Sequence, residues 1–483
     1  MEPAATAPTR LRQIRDLPHP PFRPILGNAG QVSAQTIHQD VERWARECGK
    51  IFRMRFFTRE LLVVADHALL AEVMRDRPDG WQRNPRSRIV GREMGLPQGV
   101  FSSEGDAWRV QRRIVMAGFS PAQIRQYFPQ MAKVTARLQS RWQRAADEGR
   151  TLTLQPELMR FTVDTIAGLA LGDDINTLEA GDDVIQQHLD KVLPAVFRRI
   201  LAAFPTWRYF KTRADRELES SVAVINREIE RFIAVGRAQI AADPALREKP
   251  RNVLQAMLVA AESPENSGVD DRTVAGNVLT MLLAGEDTTA NTLCWLIYLL
   301  SRHPGTLERL IAEIDSTLGD AHGRPERFTI ELMDSMPYLD ACINEAMRLK
   351  PVAPFIGLQA LRDTRIADVH VPKGTMLWGV FRHDSVSEPY FERPEAFEPQ
   401  RWIADESAPA SFSSAKRVAM PFGAGPRVCP GRYLALLEMK LAMSMLLSRF
   451  RIASVDTPDG AQAREQMYFT MSPHGLTMIL ASR

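Results

Sequence analysis

The chain has 483 residues, of which 45% are hydrophobic and 25% are charged, and its formal net charge is +3. This composition is typical of a folded globular protein and excludes an intrinsically disordered chain, and the near-neutral charge gives no reason to expect a nucleic-acid partner. No run of about 18 apolar residues occurs and the N-terminus lacks an apolar signal core, so we expect no integral membrane anchor and a cytoplasmic location.

The N-terminal part of the chain predicts a short tail followed by a folded domain. Residues 1–17 form a basic, proline-containing stretch that we interpret as a disordered lead-in, and residues 18–483 are predicted to form a single domain. Within it, Ile51–Phe56 and Leu61–Ala65 are rich in β-branched and apolar residues on either side of a short polar turn. This arrangement predicts a pair of strands.

The rest of the chain is mostly helical in pattern. From Asp66 onward apolar residues commonly recur every three or four positions. The longest predicted helix runs from about Asp271 to His303, and because it is apolar on nearly all faces it should cross the interior. A β-like region covers Ile366–Val380, and a final helix spans roughly Tyr433–Phe450. The sequence therefore predicts a mainly α fold with small β-sheets, an α+β protein.

The segment FGAGPRVCPG at residues 422–431 contains the most informative cysteine. Its three glycines let the backbone turn tightly and approach a flat ligand closely. Cys429 stands before the final helix, whose N-terminal dipole favours a thiolate, the form that binds a metal. The other three cysteines are far away in sequence, so neither an iron–sulfur cluster nor a structural zinc site is predicted, whereas a single thiolate suits haem. The alternative is a free buried cysteine in a turn.

A second motif, Ala284-Gly-Glu-Asp-Thr-Thr289, lies in the middle of the longest predicted helix. Polar residues inside an apolar helix are costly to bury without partners. A carboxylate beside a hydroxyl can relay protons into a site that is closed to bulk solvent, which would explain that cost. The alternative is a satisfied polar patch between helices.

These two segments resemble the haem-binding and oxygen-activation motifs of the cytochrome P450 family. Two further segments agree with that resemblance. Glu345 and Arg348 match the family's ExxR pair, which Arg401 would complete from a Pro-x-Arg-aromatic turn, and Trp108 with Arg112 match a pair that binds a haem propionate. The motifs occur in the family's order, and the resemblance covers nearly the whole chain.

The resemblance implies the cytochrome P450 fold, with heme b between the long central helix and the helix after the cysteine loop. Cys429 would be the metal ligand, and Asp287, Thr288 and Glu286 would be the catalytic proton-relay residues. The implied cofactor-binding residues are Trp108, Arg112, Ala284, Phe422, Gly423, Arg427 and Gly431. The Glu345 group would brace the cysteine loop. The family often has a propionate-binding arginine where this chain has Leu358, so that contact is not carried over.

The implied activity is that of a monooxygenase of the soluble bacterial type. It would insert one atom of O2 into an apolar small molecule (a fatty acid, terpenoid, steroid or aromatic compound), with electrons from NAD(P)H through a separate ferredoxin or flavodoxin type donor. Phenylalanines 101, 197, 204, 355 and 469 would line the pocket, and arginines 198, 199 and 208 would lie near its entrance. The alternatives are a peroxide-driven or non-oxygenating haem-thiolate enzyme, which the Asp287-Thr288 pair disfavours, a haem sensor, and a helical scaffold without haem.

Overall fold

The computed structural model describes residues 11–172, 174–180, 184–266, 268–403 and 415–483. Within these residues the chain is mainly helical, as the sequence predicts. The helices are α1 Ile37–Cys48, α2 His67–Arg75, α3 Pro85–Glu93, α4 Gly105–Gly118, α5 Pro121–Asp147, α6 Leu154–Leu171, α7 Thr177–Ala180, α8 Val184–Leu189, α9 Val192–Leu201, α10 Arg213–Ala242, α11 Val253–Ala261, α12 Asp271–Ser301, α13 Pro304–Leu318, α14 Ile330–Asp334, α15 Pro337–Leu349, α16 Arg382–Ser385 and α17 Arg432–Arg449.

The strands form small sheets beside this helical body. They are β1 Ile51–Phe56, β2 Arg59–Val64, β3 Trp81–Arg83, β4 Leu152–Thr153, β5 Phe355–Ala360, β6 Thr364–Ile366, β7 Val369–Val371, β8 Met376–Val380, β9 Phe450–Asp456, β10 Glu465–Met467, β11 Met471–Pro473 and β12 Thr477–Ser482. The largest sheet has the order β1-β2-β8-β5-β3. In it β2 and β8 run parallel, and the predicted strand pair β1 and β2 is antiparallel.

The start of the described chain is held by the rest of the protein. Arg12 forms a backbone bridge to Val369, and its guanidinium lies 2.7 Å from the carboxylate of Asp368. Leu17 is buried in the smaller apolar cluster beside the large sheet. The ordered chain therefore begins before residue 18, and the first ten residues of the predicted lead-in lie outside the described residues.

Helix α12 crosses the interior and confirms the longest predicted helix. Asp270 caps its start by accepting a hydrogen bond of 2.8 Å from the backbone N–H of Thr273. Its middle lies close against α6, since a Cβ atom on Gly285 would stand 2.9 Å from Ile166 Cγ1. The glycine therefore permits the close approach of the two helices. Among the described residues, no helix is both long enough and apolar enough to span a membrane.

Candidate active site

The loop before α17 is shaped by two glycines. Gly423 and Gly425 have φ angles of 75° and 70°, a region that side chains with a Cβ rarely adopt. A Cβ atom on Gly425 would also lie 2.3 Å from the carbonyl oxygen of Met74 in α2. The backbone N–H of Cys429 donates a 3.0 Å hydrogen bond to the carbonyl of Phe422, which closes the loop. The glycines thus let the loop pack against α2 while it presents the thiol.

The Cys429 side chain faces an internal space. The residue is exposed to this space, but the protein atoms around it desolvate the thiol and raise its pKa above the ordinary value. The backbone N–H of Gly431 donates a hydrogen bond to the sulfur, and the positive charge of Arg112 lies near the sulfur. Both interactions favour the thiolate. In α12, Ala284 is the one exposed residue between Val274 and Leu300. An alanine exposed in the middle of a buried helix indicates accessible space inside the helical body. We interpret the exposed thiol of Cys429 as opening onto the same space, which we call the hollow.

The carboxylate of Asp287 lies one residue from the hydroxyl of Thr288, but the two side chains have other partners. The Thr288 hydroxyl donates a 2.7 Å hydrogen bond to the Ala284 carbonyl. Asp287 Oδ1 accepts a 2.7 Å bond from the Asn291 amide, and Oδ2 accepts one from the Thr470 hydroxyl. Burial raises the pKa of Asp287 above its ordinary value, and these two hydrogen bonds oppose the rise.

Glu286 lies on a different face of α12. Its carbonyl accepts a 2.9 Å bond from the hydroxyl of Thr162 in α6, and its carboxyl group hydrogen-bonds with Asp190. Burial and the neighbouring charge of Asp190 raise its pKa well above the ordinary value. The structure therefore joins Thr288 to Ala284 by a hydrogen bond and turns the Glu286 carboxyl group toward Asp190. The catalytic roles of Glu286, Asp287 and Thr288 stay predictions.

Three arginines converge on one carboxylate at the edge of this region. Glu104 accepts a hydrogen bond of 2.5 Å from Arg427, and it lies 3.9 Å from Arg77. The backbone N–H of Arg83 donates to the same carboxylate at 2.9 Å. Burial lowers the pKa of Arg77 to about 10 and that of Arg83 well below its usual value, and the mutual repulsion of the guanidinium groups contributes to both shifts.

This cluster carries more positive than negative charge. Among the described residues, Glu104 is the carboxylate that the guanidinium groups of Arg77 and Arg427 contact, whereas the Arg83 guanidinium donates to the Phe101 carbonyl at 2.9 Å. Two nitrogens of buried Arg77 have no hydrogen-bond partner. Buried charges without partners are costly, so the cluster is suited to an additional anionic group. Arg112 extends it toward Cys429, because its pKa responds to the charges of both Cys429 and Arg427.

The family model described as Cytochrome P450 matches residues 17–479. The chain belongs to the cytochrome P450 family. The curated relatives that it resembles include thromboxane-A synthase of Rattus norvegicus, at 26% identity over 93% of this chain and 88% of the relative. They also include the mitochondrial 25-hydroxyvitamin D-1 alpha hydroxylase of Homo sapiens, at 28% identity over 91% and 87% of the two chains.

A third relative has a larger architecture. A self-sufficient cytochrome P450 monooxygenase of Phanerodontia chrysosporium is 25% identical over 90% of this chain, which matches only 40% of that protein. As a member of the family, this cytochrome P450 is a haem-dependent monooxygenase, an oxidoreductase that uses O2.

The arginine cluster fits the acidic groups of that cofactor. Heme b carries two propionates, and guanidinium groups bind carboxylates through paired, charge-assisted hydrogen bonds. Arg427 donates 3.1 Å and 2.5 Å bonds to the carbonyls of Val100 and Ser103, and its guanidinium carbon lies 5.0 Å from the Trp108 ring centre. The structure therefore places Trp108 and Arg427 together, as the sequence predicts, with Arg112 nearby.

Sequence reasoning missed Arg77 and Arg83. Arg83 is directly opposite Leu358 in the antiparallel pair of β3 and β5, so the two side chains lie on the same face of the sheet. A guanidinium group is thus present beside Leu358, and it donates a 2.9 Å hydrogen bond to the carbonyl of Phe101. The isolated position of Arg83 in a three-residue strand gave little signal of this, because the register of β3 against β5 depends on tertiary structure.

The predicted brace is present and more extensive than the sequence indicates. Glu345 and Arg348 in α15 form two hydrogen bonds of 2.7 Å, and both side chains are fully buried. Arg401 lies 3.4 Å from Glu345, and the indole N–H of Trp402 donates to it at 2.8 Å. Trp402 also packs with residues 415, 418 and 419, which precede the cysteine loop. The network therefore links α15 to the segment that leads into Cys429.

The predicted pocket residues divide into two groups. Phe101 and Phe469 approach each other, with ring centres 6.2 Å apart, and both are partly exposed. In contrast, Phe204 is 71% exposed on the α9–α10 connection. Two of the three predicted entrance arginines are paired, since Arg199 binds Asp215 at 2.8 Å and Arg208 binds Glu93. Phe204 is thus placed outside the hollow, and these two arginines have intramolecular partners.

Proposed function

We propose that this cytochrome P450 inserts one atom of O2 into an apolar small molecule and that the second atom leaves as water. The substrate would be a fatty acid, terpenoid, steroid or aromatic compound. The observation that supports this best is the hollow marked by the Cys429 thiol and Ala284, beside Asp287 and Thr288. Phe101 and Phe469 provide apolar surface for such a substrate.

Bound haem would supply the oxygen chemistry, with Cys429 as its thiolate ligand. The Gly431 N–H and the charge of Arg112 would stabilise that thiolate. The guanidinium groups of Arg77, Arg83 and Arg427 would bind the acidic groups of the cofactor and fix its orientation. Phe422, Gly423 and Gly431 belong to the loop that would lie against one face of the cofactor, and Ala284 to the helix that would lie against the other.

The distal residues would control protons. The Thr288 hydroxyl is positioned to donate a hydrogen bond into the hollow once it leaves the Ala284 carbonyl. Asp287 would return a proton to Thr288 Oγ1 after Thr288 has donated its own, because it is the neighbouring residue and desolvation raises the pKa of its carboxyl group. The apolar surroundings would exclude bulk water from this transfer.

The electron source, the compartment and the domain extent are part of the proposal. We infer NAD(P)H as the ultimate donor, a separate ferredoxin or flavodoxin type protein as the carrier, and a cytoplasmic location. The continuous family match over residues 17–479 supports a single catalytic domain over residues 18–483. One relative is named a bifunctional cytochrome P450/NADPH–P450 reductase and another is named mitochondrial, so these features differ among the related proteins.

The test combines binding with product analysis. The haem-loaded protein is titrated with dodecanoic acid, a monoterpene, a steroid and an alkylbenzene while the haem spectrum is recorded. Any compound that shifts the spectrum is then incubated under ¹⁸O2 with NADPH and a ferredoxin or flavodoxin reductase system, or with hydrogen peroxide instead. One ¹⁸O atom per product molecule in the reductase reaction is expected. Turnover with peroxide alone would show the alternative, a peroxide-driven enzyme.

The relay is tested by Thr288→Ala, with Thr280→Ala as its matched control. Thr280 lies on the same helix and makes the same kind of 2.7 Å hydrogen bond, to the carbonyl of Gly276. Thr288→Ala is expected to divert most electrons into peroxide, measured as peroxide formed per NADPH consumed, whereas Thr280→Ala should retain the native ratio. An unchanged ratio in Thr288→Ala would contradict the assigned role.

A further inference from the structure

Both oxygens of the Asp287 carboxylate are held by residues other than Thr288. Asn291, one turn later in α12, donates to Oδ1 at 2.7 Å, and the Thr470 hydroxyl donates to Oδ2. The same Asn291 amide nitrogen lies 3.3 Å from Thr470 Oγ1. Among the hydrogen bonds of the described residues, none joins Asp287 to Thr288. The carboxylate is thus oriented away from the hydroxyl that it would serve.

Asn291 is itself fixed in orientation. Its side-chain oxygen accepts a 2.9 Å hydrogen bond from the Gln155 amide in α6. This leaves its NH2 group to face Asp287, so the amide acts as a donor there. The hydrogen bond between Asn291 and Gln155 therefore joins two helices of the body, and we expect it to persist when the pocket fills.

Thr470 belongs to a different part of the chain. It lies in the turn between β10 and β11, is 6% exposed, and is 183 residues from Asp287. The base of this hairpin is anchored, since the Met471 N–H donates to the Val352 carbonyl at 2.8 Å, and Glu465 binds Arg382 and Lys350. The turn between these anchors is where a displacement would occur.

The neighbouring residue in that turn reaches the pocket. Phe469 is partly exposed, and its ring centre lies 6.2 Å from that of Phe101. A ligand that contacts Phe469 would displace it, and Thr470 is the next residue in the chain. The turn therefore connects the apolar pocket to the carboxylate through one peptide unit.

We propose that Thr470 is a positioning residue that holds the Asp287 carboxylate away from Thr288 until a ligand in the pocket displaces the turn at Phe469. The freed carboxylate would then rotate toward Thr288 while Asn291 retains its contact with Gln155. No covalent bond changes in this step, since the hydrogen bond from the Thr470 hydroxyl to the carboxylate breaks and the protonated carboxyl group of Asp287 donates one to Thr288 Oγ1. The proposal rests on the proposed monooxygenase function, which requires protons at Thr288.

The first experiment measures Asp287 directly. Infrared spectra of the haem-loaded protein are recorded across pH, and the carboxyl band of Asp287 is assigned by its loss in Asp287→Asn. Thr470→Val has nearly the same shape but no hydroxyl, so it should shift the titration midpoint upward by about one pH unit, a tenfold change in proton affinity, because the carboxylate loses a donor. Thr470→Ser, which keeps the hydroxyl, should restore the native midpoint.

Ser472→Ala is the matched control on the same hairpin. Its hydroxyl is buried and lies 3.5 Å from the carbonyl of Gln466, and among the hydrogen bonds of the described residues none joins it to Asp287. It should leave the midpoint unchanged. An unchanged midpoint in Thr470→Val, or an equal shift in Ser472→Ala, would overturn the role of the Thr470 hydroxyl.

The second experiment tests the connection to the pocket. The probe is 4-phenylimidazole, whose nitrogen ligates the haem iron while its ring fills the space beside it. In the native protein it should move the Asp287 midpoint to the value of Thr470→Val, and in Thr470→Val it should move it no further. An equal shift in both proteins would overturn the connection.

The two proposals fail in distinguishable ways. A protein whose haem spectrum does not respond to 4-phenylimidazole lacks the pocket, and that result would overturn the proposed function. A protein that oxygenates substrates but shows the native Asp287 midpoint in Thr470→Val would retain the proposed function and lose only the positioning role of Thr470.

Discussion

The buried carboxylate of Glu345 and the half-buried carboxylate of Asp287 lie on the two sides of the site, and they are held in opposite ways. Glu345 receives two bonds from Arg348, one from the Trp402 indole and one of 2.9 Å from a backbone N–H. Asp287 receives single bonds from an amide and a hydroxyl, both uncharged. Charge-assisted bonds are about twice as strong as neutral ones. The difference indicates that the cysteine side is built to stay fixed, whereas the side of α12 can exchange partners.

The largest expected effect concerns the fixed side. Cys429→Ser removes the predicted thiolate ligand, so the red-shifted absorption of the reduced CO complex should disappear completely. Cys48→Ser, at a partly buried cysteine of α1, should retain the band. Persistence of the red-shifted band in Cys429→Ser would show that another residue ligates the iron.

The brace should be the next most sensitive feature. Glu345→Gln leaves the guanidinium groups of Arg348 and Arg401 buried without their shared negative charge, which should cost about 3–5 kcal/mol of unfolding free energy. Denaturant unfolding measures this. Glu217→Gln, which breaks a 2.8 Å pair with Arg213 on exposed α10, is the control and should change stability little. Equal effects of the two substitutions would refute the role of the brace.

The arginine cluster should show a smaller effect on cofactor retention. Arg77→Gln and Arg83→Gln each remove one charge-assisted interaction worth about 1.5–3 kcal/mol, so haem should transfer to apomyoglobin on the order of 10-fold faster. Arg109→Gln is the control, because Arg109 is exposed and pairs with Asp79 and Asp106. Native transfer rates in both variants would place the propionates elsewhere.

The smallest expected effect is a pH dependence at Glu286. The pKa of Glu286 is raised in the folded protein, so the unfolded chain releases this proton at a lower pH than the native protein does. The free energy of unfolding therefore falls as the pH rises from the unfolded pKa toward the folded pKa. Glu286→Gln removes the ionisation. The variant should be more stable than the native protein at pH 7, with a difference that vanishes below about pH 4, near the reference pKa of Glu. A difference independent of pH would show that packing, not ionisation, is responsible.

Local patterns predicted much of the fold. Helix α12 begins at Asp271, as predicted, and ends at Ser301, two residues before the predicted end at His303. Its ends were predictable because helix caps and apolar periodicity depend on residues that are neighbours in the sequence. The Glu345 and Arg348 pair was predictable for the same reason, since a three-residue spacing places both on one face of a helix. Trp402 was recognised only as the aromatic residue of the turn that contains Arg401. Its hydrogen bond to Glu345 was not predicted, because an indole donor has no spacing pattern that marks its acceptor.

The sequence by itself determined the chemical groups of this protein: one thiolate at the start of a helix, an acid beside an alcohol inside a buried helix, and an ExxR pair. Only the tertiary structure decided what those groups contact. The register of β3 against β5 places Arg83 opposite Leu358, and Thr470 reaches Asp287 across 183 residues. Helical and strand periodicity extends over a few residues, whereas hydrogen-bond partners and buried charges are chosen by the packing of distant segments.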